Sequence, residues 1–182
     1  RNLLSKKPVK QLSDIAGLKL RIPQTPLFLN LAQTWGATAT AISLGEVYTS
    51  LESGVIDAVD GTNETIVSSK FYERAKHLTL TKHNFYPQPM VVNKAWWDGL
   101  TDEQRKIIEE AAKEAARFQL KLHKEADAAA IQTMKDAGVE IIEVDVSPFR
   151  EPLLKSMDAY MKEKGDDVYV VYQKMLEVAK QQ

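Results

Sequence analysis

Cysteine is absent from the 182 residues, which removes disulfides, thiolate nucleophiles and cysteine-ligated metals together. A chain without it suits the periplasm or the cytoplasm equally. No apolar run approaches the roughly 20 residues of a membrane-spanning helix, and no signal-peptide pattern is found. Surplus charge is missing too: 24 Lys and Arg against 25 Asp and Glu leave a net charge of -1. General nucleic-acid binding needs a basic face to neutralise phosphates, and none is visible. Histidine is scarce. His77 and His83 lie on an extended run with His123 far along a helix, so they form no recognisable ligand set and read as surface or capping residues rather than metal ligands. The chain opens on Arg1 and not on methionine, which reads as a processed product or a fragment.

What is present is ordinary for a globular protein: 44% hydrophobic and 27% charged residues, enough for one sizeable core or two small lobes. The most informative stretch is Gly17 to Gln24. Alternation puts Leu18, Leu20 and Ile22 on one face of a strand and Lys19 and Arg21 on the other. Pro23 cannot donate to a sheet ladder, so the strand ends there with Arg21 near its carboxyl end, the end at which open α/β sheets bind ligands. A guanidinium at that point offers a fixed fork of donors matched to a carboxylate or phosphate. An ordinary solvated arginine is the competing reading.

Along the rest of the chain, Arg1 to Gln11 reads as an extended, polar and basic lead-in. Thr25 and Pro26 start a helix whose stripe is Leu27, Leu31 and Trp35 with Phe28 beside them. Ala37 to Leu44 reads as a strand, making a strand, helix, strand unit with a parallel sheet. A helix from about Glu46 to Ser53 and a third strand over 55–61 follow. Asp57 and Asp60 admit a metal or acid/base pair, but no histidine or further acid sits at ligand spacing nearby, and loop capping is the preferred reading. Thr62 or Asn63 starts the next helix. Lys76 to Asn93 reads as extended segments, with Pro87 and Pro89 flanking Gln88 and forbidding a regular ladder in Tyr86-Pro87-Gln88-Pro89. Thr101 and Gln104 form a capping box opening a helix of about 36 residues, roughly 54 Å long. Its stripe is Ile108, Ala111, Ala115, Phe118, Leu122, Ala126, Ala129 and Met134. A strand over 139–144, a helix from Ser147 interrupted by Pro152, and a final helix from Val168 to Lys180 complete the chain.

Three blocks, Leu-Lys-Leu-Arg-Ile-Pro (18–23), Gly-Glu-Val-Tyr-Thr-Ser-Leu-Glu-Ser-Gly-Val-Ile-Asp (45–57) and Ser-Lys-Phe-Tyr-Glu (69–73), together resemble the solute-binding proteins of TRAP (tripartite ATP-independent periplasmic) transporters. The similarity continues through Trp96-Trp97 and Thr101-Asp102-Glu103-Gln104 and covers essentially the whole chain. The resemblance implies an α/β, periplasmic-binding-protein-like (type II) two-lobed fold, of which this chain is the C-terminal portion without the N-terminal lobe. Residues 1–86 and 127–182 are then the C-terminal lobe. Residues 87–126 are the hinge or crossover segment and the long helix, acting as a strut that contributes to the other lobe. It also implies a site: Arg21 as carboxylate clamp, Arg1 as a second ligand-facing arginine, Gln24 and Gln88 as polar contacts, and Leu44 as an apolar wall. The family's asparagine position falls on Gly61, with Asn63 two residues later.

The function so implied is periplasmic capture of an organic acid, such as a sugar acid or dicarboxylate, and its delivery to the TRAP membrane permease subunits. No cofactor and no catalytic residue are expected. A small α/β enzyme acting on a carboxylate through Asp57, Asp60 or Tyr48 is the alternative, and a dimer seam along the long helix is a third reading.

Overall fold

The computed structural model describes residues 1–84 and 88–179. Tyr86, Pro87 and Lys180, and with them the lobe boundary at 86/87, lie outside the described residues. A six-stranded sheet runs in the order β3-β2-β4-β1-β5-β6, built from β1 (Asn2–Ser5), β2 (Lys19–Ile22), β3 (Thr38–Ala41), β4 (Ala58–Gly61), β5 (His77–Thr79) and β6 (Glu140–Ile142). The expected parallel unit is there: β2 is parallel to β3 and to β4, and β5 to β6. The sheet as a whole is mixed, because β1 is antiparallel to both β4 and β5. The lead-in is therefore a central strand. Its polar and basic flanks conceal Leu3 and Leu4, which are wholly buried, one on each face.

Seven α-helices are found among the described residues: α1 (Pro26–Thr34), α2 (Val47–Ser53), α3 (Asn63–Ser68), α4 (Lys94–Asp98), α5 (Asp102–Asp136), α6 (Ser147–Glu163) and α7 (Asp166–Ala179). On one face Leu3, Leu20, Ile22 and Ala58 pack against Phe28, Leu31 and Trp35 of α1 and Phe149 and Leu153 of α6. On the other, Leu4, Val59 and Leu78 pack against Val47 and Leu51 of α2, Ile66 of α3 and Met134 of α5. Trp35 fastens α1 to α6 with its indole N–H, which donates to the Phe149 carbonyl at 3.0 Å. Burying an indole requires such a partner.

Several boundaries shift for physical reasons. The third strand begins only at Ala58, because Val55 to Asp57 complete the turn that Gly54 opens in the left-handed region at φ 79°. Pro152 does not interrupt α6: the packing of Phe149 and Leu153 on both sides of it holds the helix continuous. α4 appears where no helix was expected, capped by Asn93, whose side chain accepts from the Trp96 N–H. α5 has the expected capping box, with Gln104 N–H donating to Thr101 Oγ1 at 3.2 Å and Thr101 N–H to Gln104 Oε1 at 2.9 Å. Its stripe is another matter. Only Ala130 and Met134 are buried, while Phe118 and Leu122 are exposed, since the helix packs on the lobe by its C-terminal third and runs off the edge with the remainder.

Candidate functional site

From β2 the chain moves outward to β3 and returns past β2 to β4, with α1 on one face and α2 on the other. The sheet's connections thus diverge between β2 and β4, and a crevice forms beyond the carboxyl ends of strands at such a switch point. Arg21 lies next to last in β2, and Asp60 and Gly61 close β4. Register decides which way each faces. Arg21 pairs with Val59 on the α2 and α3 side, whereas Asp60 pairs with Leu3 on the α1 side. Antiparallel β1 starts at this same edge, which brings Arg1 to it.

Arg21 is 5% exposed, and its one hydrogen bond among the described residues runs from Nε to the Ile42 carbonyl at 3.1 Å. That bond orients the guanidinium, and its terminal nitrogens have no partner among the described residues. Burial lowers its pKa from the ordinary value, Asp60 opposing this and Arg1 adding to it. Arg1 Nε donates to Asp60 Oδ2, and its Nη2 to the Asp60 carbonyl at 3.0 Å. Phe28 supplies a ring 5.3 Å from the Arg1 guanidinium carbon, a cation–π contact that fixes the stem.

Asp60 is the centre of this group. His83 Nε2 stands 3.6 Å from its Oδ2, with both side chains essentially out of water, and His83 Nδ1 lies 2.7 Å from Thr81 Oγ1. Because a carboxylate only accepts, the consistent tautomer has Nε2–H toward Asp60 and Nδ1 accepting from Thr81. Trp35 closes the far side edge-on, 4.8 Å between ring centroids. Burial opposes ionisation of Asp60, but its contacts with His83 and Arg1 outweigh it and hold the carboxyl below the usual range. Burial pushes the His83 pKa down although Asp60 pulls it up.

Both directions make this lobe sensitive to acid. An unfolded histidine titrates near about 6.5. Below that pH the unfolded chain takes up a proton that folded His83 resists, so the stability is present above about 6.5 and falls as pH drops toward the depressed folded value. Asp60 adds stability above about 3.9 that is lost as pH falls through its own depressed value. Melting temperatures recorded from about pH 8 to 5 are expected to decline below about 6.5, and His83→Gln is expected to flatten that decline. A wild-type curve level across this range would contradict a buried neutral His83.

The other candidate residues are distributed unevenly. Gln24, just beyond β2, and Gln88 are exposed, and Leu44 is 48% exposed at the turn before α2. Gly61 ends β4 against Ile66, whose Cγ1 would lie 3.3 Å from an added Cβ. Asn63 is 2% exposed, with both ends of its amide engaged: it accepts from Asn2 at 3.0 Å and donates to Asp127 at 2.9 Å. Asp57 caps a loop as expected, accepting from the Lys19 N–H at 3.1 Å. Asp60 does not; it is a buried ion-pair partner. His83 is likewise no surface residue, whereas His77 and His123 pair with Glu140 and Glu64 on partly exposed helices and strands. Tyr48 donates to Glu73 at 2.7 Å on an exposed part of α2, apart from Asp57 and Asp60. Asp60 and His83 are thus the members of this buried cluster that sequence reasoning did not place there, and a signal existed only for Asp60: an acid at the end of a strand.

A separate cleft of about 660 Å³ opens between α1, α6 and α7, floored by Phe28, Leu31 and Leu153 and rimmed by His83 and Asn84. Arg21, Gln24 and Asn63 do not line it.

Comparison with known proteins identifies the family and the fold. Residues 1–165 match the DctP model, bacterial extracellular solute-binding protein, family 7. The 2,3-diketo-L-gulonate-binding periplasmic protein YiaO of Escherichia coli is 38% identical over 82% of this chain and 46% of its own length. The sialic acid-binding periplasmic protein SiaP of Vibrio cholerae is 32% identical over 87% of this chain and 50% of its own. Among solved structures, the TRAP periplasmic solute binding protein of Pseudomonas putida F1 with bound D-glucuronate superposes with a TM-score of 0.81 at 33% identity, covering 92% of this chain and 55% of that one. The one from Ochrobactrum anthropi gives 0.90 at 35% identity, covering 100% and 58%. The chain therefore spans about half the length of the relatives it matches, with the two-lobed type II fold as their common architecture, and it belongs to the family 7 bacterial extracellular solute-binding proteins, the DctP family of TRAP transporters, which are not enzymes.

Proposed function

We propose that this chain is the C-terminal lobe of a periplasmic receptor that captures a sugar acid through Arg21 and hands it to the TRAP membrane permease subunits. The observation that carries the reading is a buried guanidinium whose terminal nitrogens have no protein partner among the described residues, at the switch point of the sheet. A carboxylate removed from water needs both charge and several hydrogen bonds in return. Arg21 supplies the fork. Arg1, held by Asp60, adds a second positive centre at the same edge, and Gln24, Leu44 and Gln88 are the polar and apolar contacts expected to close on the remainder of the ligand.

The relatives supply the ligand class: YiaO is named for 2,3-diketo-L-gulonate and SiaP for sialic acid, and the Pseudomonas putida protein holds D-glucuronate. All carry a carboxylate and hydroxyls. The other lobe supplies the facing wall, and the exposed apolar residues outside the packed core, Met90, Val91, Trp96, Phe118 and Leu122, support the assignment of 87–126 to it. Closure of two lobes then excludes water from the clamp.

Calorimetry on the whole-length protein tests this. D-glucuronate or D-galacturonate is expected to bind at micromolar or better, about -8 kcal/mol, and to be recovered unaltered after long incubation. Turnover of the bound acid, or no heat with any sugar acid, would sink the reading.

A further inference from the structure

Asn63 invites reading as a ligand contact, yet its hydrogen-bonding capacity is directed inward. A run of side-chain amides starts at the half-buried carboxylate of Asp127 on α5, which accepts from Asn63 Nδ2 at 2.9 Å. Asn63 Oδ1 accepts from Asn2 Nδ2 at 3.0 Å, and Asn2 Oδ1 accepts from the Lys82 N–H at 3.2 Å. The polarity is fixed from both ends, because a carboxylate only accepts and a backbone N–H only donates. Neither asparagine has a choice of orientation.

The run joins the places where the chain crosses the lobe's open edge. Asn2 follows Arg1 at the start of β1, and the Arg1 backbone nitrogen donates to the Asn84 carbonyl at 2.7 Å, so the incoming and outgoing segments lie side by side. Lys82, on the outgoing segment, has φ 45°, a left-handed conformation that a side chain of this kind adopts only when its surroundings impose it. Asp127 stands where α5 comes back onto the lobe. One helical turn before it, His123 pairs with Glu64, the neighbour of Asn63, at 3.1 Å.

We propose that Asn2, Asn63 and Asp127 form a positioning ladder that ties the three inter-lobe connections to one another, so that Arg1 and Arg21 meet the ligand as a rigid pair while bending takes place beyond Lys82 and beyond Asp127. This rests on the two-lobed receptor reading. Asn63 is then a positioning residue and makes no contact with ligand.

A charge relocation separates the two roles. Asn63→Asp sets two carboxylates against each other, yet an acid in the first turn of α3 suits the helix N-terminus, so the variant folds. Adding Asp127→Asn restores every bond with one polarity reversed: the new amide donates to the new carboxylate, which still accepts from Asn2. In the whole-length protein, Asn63→Asp is expected to weaken D-glucuronate binding at least tenfold and to lower the melting temperature. The double variant is expected to recover affinity to within threefold and the melting temperature with it. A double variant that regains its melting temperature but stays tenfold weak would place Asn63 on the ligand and overturn the ladder, as would an Asn63→Asp protein that binds normally. Should the wild type bind neither D-glucuronate nor D-galacturonate, the receptor reading fails instead. Hydrogen exchange at the Lys82 amide then decides the ladder: faster in Asn63→Asp and slow again in the double variant supports it, and equal rates in all three proteins refute it.

Discussion

Arg21→Lys in the whole-length protein is expected to weaken sugar-acid binding by about a hundredfold, and Arg21→Ala by more. A hundredfold corresponds to about 2.7 kcal/mol, within the range measured when one member of a buried, hydrogen-bonded charge pair is removed. Lysine keeps the charge and still fails, for two reasons. Its ammonium is a point donor and cannot place two parallel N–H bonds on a carboxylate. It also lacks an equivalent of Nε, whose bond to the Ile42 carbonyl orients the guanidinium. Calorimetry of the variant with D-glucuronate checks this against a melting curve as folding control. Affinity within threefold of the wild type would remove Arg21 from the site.

The second large effect is on stability. Asp60→Ala leaves Arg1 and Arg21 without their shared counter-charge and the Nε2–H of neutral His83 without its acceptor, in a pocket where the Asp60 and His83 side chains are 1% and 0% exposed. Breaking a buried pair from one side costs about 3–5 kcal/mol, since the remaining charge keeps its desolvation penalty and loses its compensation. For a domain of this size that is about 6–20 °C in melting temperature. Asp60→Asn, which retains an acceptor for Arg1, is expected to cost less. Arg1→Ala combined with Asp60→Ala is expected to cost less than the sum of the single variants, because the partner stranded by the first change is removed by the second. A loss under about 1 kcal/mol for Asp60→Ala would put the pair on a par with exposed ion pairs.

Much of the fold was legible where a physical rule acts locally. Pro23 ended β2 where the ladder needs a donor, Thr101 and Gln104 marked the start of α5, and alternation placed Arg21 opposite Leu20 and Ile22. The failures share a different cause. β1 depends on partners some 60 to 80 residues away, Gly61 and Thr79 among them, and no local pattern in Arg1 to Gln11 announces them. Asp60 and His83 each look bland in their own segment. Their meaning comes from an antiparallel register that lays Arg1 beside one and from a sheet edge that turns the other inward. The α5 stripe was legible as a period and as part of a strut, but its burial only at Ala130 and Met134 was not, since periodicity says which residues share a side and nothing about how far the neighbouring packing extends.

That overhang has a mechanical consequence. From Asp127 back to Asp102, α5 runs roughly 38 Å at 1.5 Å per residue without a buried side chain. A rod of that length magnifies angle into distance: a tilt of about 10° at its anchored end displaces its tip by roughly 6–7 Å. Packing around Ala130 and Met134 therefore sets the position of atoms far from this core, and a methyl group lost there is felt most at the opposite end of the helix.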